Sequence, residues 1–120
     1  MIIEKRRIGA STLLSVEGII KLGESARFFA DALKKAFQEG AGDIIVDLSK
    51  INYIDSTGIG ELVGYLGRLQ EAKRRLILVR PSDQIRKLLR VAHLDELFPI
   101  YDTLEEAVPS GDAPEKTPDS

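Results

Sequence analysis

The stretch Asp43-Ile-Ile-Val-Asp-Leu-Ser-Lys-Ile-Asn-Tyr-Ile-Asp-Ser-Thr-Gly-Ile-Gly-Glu-Leu-Val63 decides the fold. Residues 43–48 are a short, near-continuous apolar run, the pattern of a central strand covered on both faces. A short loop follows, and Asp55-Ser56-Thr57-Gly58 opens a helix expected over 56–73. Asp and Ser both cap helix N-termini, because a side-chain oxygen accepts an otherwise unpaired first-turn N–H. Beyond the helix lies a second apolar run, Arg75-Leu-Ile-Leu-Val-Arg80. A strand–helix–strand unit of this size implies a parallel pair with a right-handed crossover.

At about 100° per residue, Ile59, Leu62, Val63, Leu66 and Leu69 form the helix face that must meet the sheet. Gly60, Gly64 and Gly67 cluster well away from it. Glycine inside a helix costs about 0.5–1 kcal/mol relative to alanine. Three on a largely non-core face weaken the helix without improving its packing. Close approach by another backbone, from a partner or a neighbouring segment, is one explanation; drift at tolerant positions is the other.

Working outward, residues 2–8 and 12–20 read as strands joined at a Gly9-Ala10-Ser11 hairpin break. Gly23-Glu24-Ser25 introduces a helix to about Gln38, with Phe29, Ala32, Leu33, Ala36 and Phe37 as its apolar stripe. Gly40-Ala41-Gly42 stops it. Pro81-Ser82 starts another helix to about Val91, with Ile85, Leu88, Leu89 and Ala92 facing inward. Leu94, Leu97 and Phe98 are expected in the core. A short segment around Phe98-Pro-Ile-Tyr101 precedes Thr103-Leu-Glu-Glu106, a capping-box pattern that starts a last short helix. Residues 1–108 are expected to form one domain. Residues 109–120 hold Pro109, Pro114 and Pro118 and few apolar side chains, so a disordered tail is expected there.

The composition excludes several function classes. With 120 residues, 43% hydrophobic and 30% charged, the chain suits one globular domain with a real core. It has no cysteine, which excludes disulfides and thiolate metal sites and fits a reducing compartment. Met1-Ile-Ile-Glu-Lys-Arg-Arg7 carries charges where a signal peptide needs its apolar stretch. No run approaches the roughly 18 apolar residues of a membrane span. The formal charge of −2 resides in 109–120, where Asp112, Glu115 and Asp119 face one lysine, Lys116. Residues 1–108 are neutral, which gives no electrostatic reason to expect nucleic acid.

Nor is there a catalytic constellation. His93 is the one histidine, so a metal site or a histidine-based triad is not expected. Gly58-Ile-Gly60 matches neither phosphate-loop pattern. Asp47 reads as a strand end and Asp55 as a loop-ordering residue rather than an acid–base pair. Lys5-Arg-Arg7 and Lys73-Arg-Arg75 read as solvated strand flanks. Neither enzyme activity nor a cofactor is expected.

What remains is a hydroxyl at a helix start. Free backbone N–H groups and the helix dipole can hold a phosphate there. Phosphoserine at 56 adds about −1.5 to −2 charge beside Asp55. The dipole offsets about 0.3–1 kcal/mol at an exposed site. Burying so solvated a group in an interface costs more than that. The expected outcome is a domain that stays folded and loses a partner.

Val46-Asp-Leu-Ser and Ile54-Asp-Ser-Thr-Gly-Ile-Gly60 resemble the signature of STAS domains, specifically bacterial anti-sigma factor antagonists. The resemblance spans about residues 2–108. It includes Leu88-Leu-Arg-Val-Ala-His-Leu-Asp-Glu-Leu-Phe-Pro-Ile-Tyr-Asp-Thr-Leu-Glu-Glu-Ala107, similar to the family's closing helix, strand and helix. It implies an α/β STAS fold, with a mixed four- to five-stranded sheet and helices mainly on one face. It also implies a cytoplasmic, monomeric or weakly dimeric binding protein. Unphosphorylated, such a protein binds an anti-sigma factor that is itself a serine kinase of the GHKL type, carrying the ATP, and the sigma factor is released. Phosphorylation of the serine after the motif aspartate, here Ser56, ends the complex, and a PP2C-type phosphatase reverses it. Thr57 is the second candidate acceptor. Asp55, Ser56, Thr57, Gly58, Gly60, Glu61, Gly64 and Lys21 are the expected partner-binding residues. Many members carry an acid shortly after the second-strand glycine, where this chain reads Gly18-Ile-Ile-Lys21. The resemblance leaves two other roles open: a stressosome-type scaffold subunit, or the small STAS subunit of a lipid-transport ABC complex.

Overall fold

The computed structural model describes residues 1–108, so the tail expected over 109–120 lies outside the described residues. Five strands and four helices follow one another in the order β1 (Ile2–Ile8), β2 (Ser11–Ile20), α1 (Glu24–Glu39), β3 (Ile44–Ile54), α2 (Ser56–Glu71), β4 (Leu76–Val79), α3 (Asp83–Val91), β5 (Ile100–Tyr101) and α4 (Leu104–Ala107). The strands lie in the sheet in chain order. β1 and β2 are antiparallel, and β2–β3, β3–β4 and β4–β5 are parallel. This is the mixed α/β sheet expected from the sequence.

The β1–β2 hairpin is tighter than expected, because Ile8 pairs with Ser11 and only Gly9-Ala10 turns. Gly9 has φ 59°, the left-handed value that a two-residue turn with glycine first requires.

The sheet is covered on both faces, unequally. Phe29 and Leu33 of α1, Leu62 and Leu69 of α2, and Ile85 and Leu89 of α3 pack on Leu14, Val16, Ile44, Val46, Leu76 and Leu78. Ile8, Leu13, Ile45, Ile77 and Val79 point the other way, onto Ala107 and Val108 with Tyr101 and Leu104. This explains why Leu13 and Leu14 are both buried: they serve opposite faces of a strand that is covered twice. Each such side chain contributes about 1.5–3 kcal/mol when fully buried.

Several expectations need correction. β3 is longer than 43–48, running to Ile54. Its second half escapes a period-two reading because the register with β2 shifts between Ser15 and Glu17 and again between Gly18 and Ile19. Such bulges leave buried Ile51 and Ile54 three residues apart. α2 ends at Glu71, two residues early, as Lys73 turns left-handed at φ 60°. Val63 is 37% exposed, Leu88 45% and Leu97 49%, and Ala92 is exposed as well. α3 is a short helix that buries Ile85 and Leu89 alone, one turn apart on a narrow stripe. Leu88 falls off that stripe, and Ala92 is its C-cap.

Candidate functional site

β3 ends at Ile54, and Asp55 continues its ladder by donating its N–H to the Ile20 carbonyl at 3.0 Å. Asp55 is the N-cap of α2. Its Oδ1 accepts the N–H groups of Thr57 at 3.0 Å and Gly58 at 3.1 Å. Its Oδ2 accepts the Leu22 N–H at 2.9 Å from the β2–α1 connection. The Leu22 N–H, then those of Gly58 and Thr57, hold the Asp55 carboxyl below the usual carboxylate range despite a smaller opposing effect of burial.

The aspartate therefore takes the capping role that the sequence left open between Asp55 and Ser56. Ser56 is the first helical residue and is exposed. Among the described residues its hydroxyl makes no hydrogen bond, while its neighbours do. The expectation of several free N–H groups for a phosphate needs revising. Asp55 Oδ1 occupies those of Thr57 and Gly58, and Ile59 donates to the Asp55 carbonyl at 3.0 Å. Among the described residues, only the Ser56 N–H at this helix start is without a partner.

Thr57 is half-buried and Glu61 likewise. Gly58 is buried, and a Cβ on it would lie 2.6 Å from Ile54 Cγ1 and 2.7 Å from Ile20 Cγ2. Only glycine lets α2 start this close to the strand ends. Gly60, Gly64 and Gly67 differ, since a Cβ there would meet nothing within 4 Å. No neighbouring segment among the described residues needs them small, so an external partner or drift remains to explain them.

Lys21 sits at the end of β2 with its side chain exposed. Ser25 Oγ accepts its N–H at 3.0 Å and donates to its carbonyl at 3.1 Å, fixing the turn. The structure thus places Lys21 next to the residue bonded to Asp55. Leu22, the residue between Lys21 and Gly23, was missed by the sequence reading. It is 76% exposed while its N–H is held by Asp55. The available signal was an isolated leucine in a polar connection.

The remaining candidates are structural. Asp47 accepts from Ser49 N–H at 2.9 Å and Arg80 Nη2 at 2.7 Å, far from any acid–base role with Asp55. Burial raises its pKa, but Ser49 and Arg80 together outweigh that and hold it low. His93 lies just past α3 at φ 60°, in a helix-ending conformation. No group of three potential metal ligands occurs among the described residues. No helix among them is long and apolar enough to cross a membrane.

A mixed sheet in this strand order, with the Asp55-capped helix at its end, defines the class. A family model of the STAS domain matches residues 3–107. The chain belongs to the STAS domain family and has its fold. An anti-sigma-B factor antagonist of Staphylococcus aureus (strain NCTC 8325 / PS 47) is 35% identical over 68 residues, covering 57% of this chain and 63% of that protein. That of Staphylococcus epidermidis is 34% identical over the same coverage. The matched stretch is thus less than two thirds of these relatives' length. Among solved structures, an anti-sigma factor antagonist of Thermotoga maritima, described as putative, superposes with TM-score 0.81 at 24% identity, covering 88% of this chain and 90% of that one. SpoIIAA in its unphosphorylated form gives 0.69 at 19% identity, over 88% and 93%. The phosphorylated Bacillus SpoIIAA gives 0.70 at 22%, over 88% and 96%.

Proposed function

We propose that this domain is an anti-sigma factor antagonist switched by phosphorylation of Ser56. Unphosphorylated, it binds an anti-sigma factor that is a serine kinase, and the sigma factor is released to transcribe. The kinase brings the ATP of the GHKL type, and a PP2C-type phosphatase resets the serine in the cytoplasm. The STAS relatives named as antagonists support the class of partner.

The observation that carries the switch is the division of labour at the start of α2. Asp55 makes the cap, so Ser56 keeps an exposed and unengaged hydroxyl. Esterifying it breaks no hydrogen bond of the fold. The phosphate has one free N–H, that of Ser56, and a fixed carboxylate beside it. Its charge is therefore displayed outward, where a docked protein must desolvate it. Thr57 is the second candidate, disfavoured by its half-burial.

The deciding experiment incubates the full chain with each purified anti-sigma kinase encoded in the same genome and ATP. Phosphate on Ser56 and loss of that chain from the kinase complex are the expected results. No phosphate on Ser56 with any of them, together with equal kinase binding by wild type and Ser56→Asp, rejects the reading.

A further inference from the structure

β4 pairs with β3 only from Ile44 to Asp47. β3 continues to Ile54, and over that second half it pairs with β2 alone. Its other edge looks across a groove of about 390 Å³ towards α3. Tyr53, Ile54, Ile85, Leu88 and Val91 make the groove apolar, and Lys87 is the one charged residue lining it. Tyr53 is 51% exposed, Leu88 45% and Val91 71%. Single exposed apolar residues need no explanation, but these line one groove along an open strand edge.

Three properties specify what fits. An open edge offers unpaired backbone groups, which an extended segment satisfies by adding as a strand. The apolar lining calls for alternate apolar side chains on that segment. Lys87, the one charged residue lining the groove, calls for an acidic residue on that segment, while exposed Arg90 and Asp83, one turn to either side along α3, lie outside the lining and offset each other. Arg86 does not add to this charge, being tied to Asp102 at 2.5 Å. The groove also runs into the switch, because Ile54 lines it and immediately precedes Asp55 and Ser56.

We propose that the groove between β3 and α3 receives an extended, apolar and acidic segment of the anti-sigma factor, added as a strand to β3. This rests on the function proposed above and names how that partner is held. A segment seated there ends beside Ser56, so a phosphate at Ser56 stands at the mouth of the groove it must enter.

The test uses the full chain and the purified anti-sigma factors of the same genome, by calorimetric titration and amide hydrogen exchange. Val91→Asp and Lys87→Glu alter exposed side chains and are expected to keep the wild-type Tm. Each is expected to weaken binding tenfold or more, and the amides of Asn52 or Ile54 are expected to become protected in the wild-type complex. Full affinity for both variants, or no new protection, while Ser56→Asp still abolishes binding, overturns the groove and leaves the function standing. A wild-type chain that binds none of these factors overturns both. A wild-type dimer that Val91→Asp dissociates assigns the groove to a second copy and also overturns the proposal.

Discussion

Asp55 Oδ2 accepts the Leu22 N–H at 2.9 Å across 33 residues of chain, while Oδ1 of the same carboxylate caps α2. One side chain thus couples the β2–α1 connection to the helix that carries Ser56. Asp55→Ala is expected to lower Tm and to speed amide exchange at Leu22, Thr57 and Gly58 together. Unchanged exchange at Leu22 would show that the coupling is not energetically real.

The acid side of the stability curve follows from the same carboxylate. Asp55 and Asp47 both have depressed folded-state pKa values, Asp55 through the Leu22, Gly58 and Thr57 N–H groups, Asp47 through Ser49 and Arg80 against the cost of burial. A depressed carboxylate contributes stability that is complete above its unfolded value and lost as pH falls through the folded one. Stability is therefore expected to be flat near neutrality and to drop below about pH 4. Urea midpoints measured from about pH 7 to about pH 2 should show a shallower decline for Asp55→Asn and Asp47→Asn. Parallel curves for all three proteins would contradict the assignment.

The four glycines of α2 separate into two kinds. At Gly58 an added methyl collides with Ile54 and Ile20, so Gly58→Ala is expected to destabilise by about 1–3 kcal/mol. At Gly64 it meets open space, so Gly64→Ala is expected to stabilise by about 0.5–1 kcal/mol. If the open face is where a partner lands, Gly64→Ala weakens binding while raising stability. Chemical denaturation and a titration with the partner read the two effects separately. Gain in stability with full binding would assign Gly64 to drift.

Ser56→Asp places a charge on a residue that is exposed and outside the cap. Its stability is expected to stay within about 0.5 kcal/mol of wild type, and its affinity for the proposed anti-sigma partner to fall at least tenfold. A variant that unfolds would mean the serine belongs to the fold after all.

Lys21→Glu is expected to leave the fold intact, because the side chain is exposed and forms no ion pair among the described residues. If Lys21 belongs to the proposed interface, the substitution acts on partner binding and its effect should shrink as salt rises, since rim charges act through screened fields. Identical affinities at low salt would remove Lys21 from the interface.

Most of the sheet and the helix start were legible because each rests on local chemistry. The runs 43–48 and 75–80 are apolar on both faces since both faces are covered. Asp55-Ser56-Thr57-Gly58 announces a helix start through cap chemistry, which needs no tertiary information. What was not legible depended on distant chain. The sequence could not show that Asp55, while capping α2 through Oδ1, is also held through Oδ2 by the Leu22 N–H from 33 residues away. The length of β3 was hidden by two register shifts against β2. Leu88, Leu97 and Val63 are apolar yet exposed, because composition states what a side chain prefers and not whether another element arrives to cover it.

The second face of the sheet has a consequence for biosynthesis. Ile45, Ile77 and Val79 are sealed by Leu104, Ala107 and Val108, with Tyr101 beside them, all from the end of the described chain. On a ribosome adding about 5–20 residues per second, the β1–β3 part of the α1 side emerges before those residues do. Until they leave the exit tunnel, the nascent domain carries a greasy, finished-looking sheet with one side bare. Leu104, Ala107 and Val108 are thus the last described side chains to reach the sheet, and they close the face that the other helices leave open.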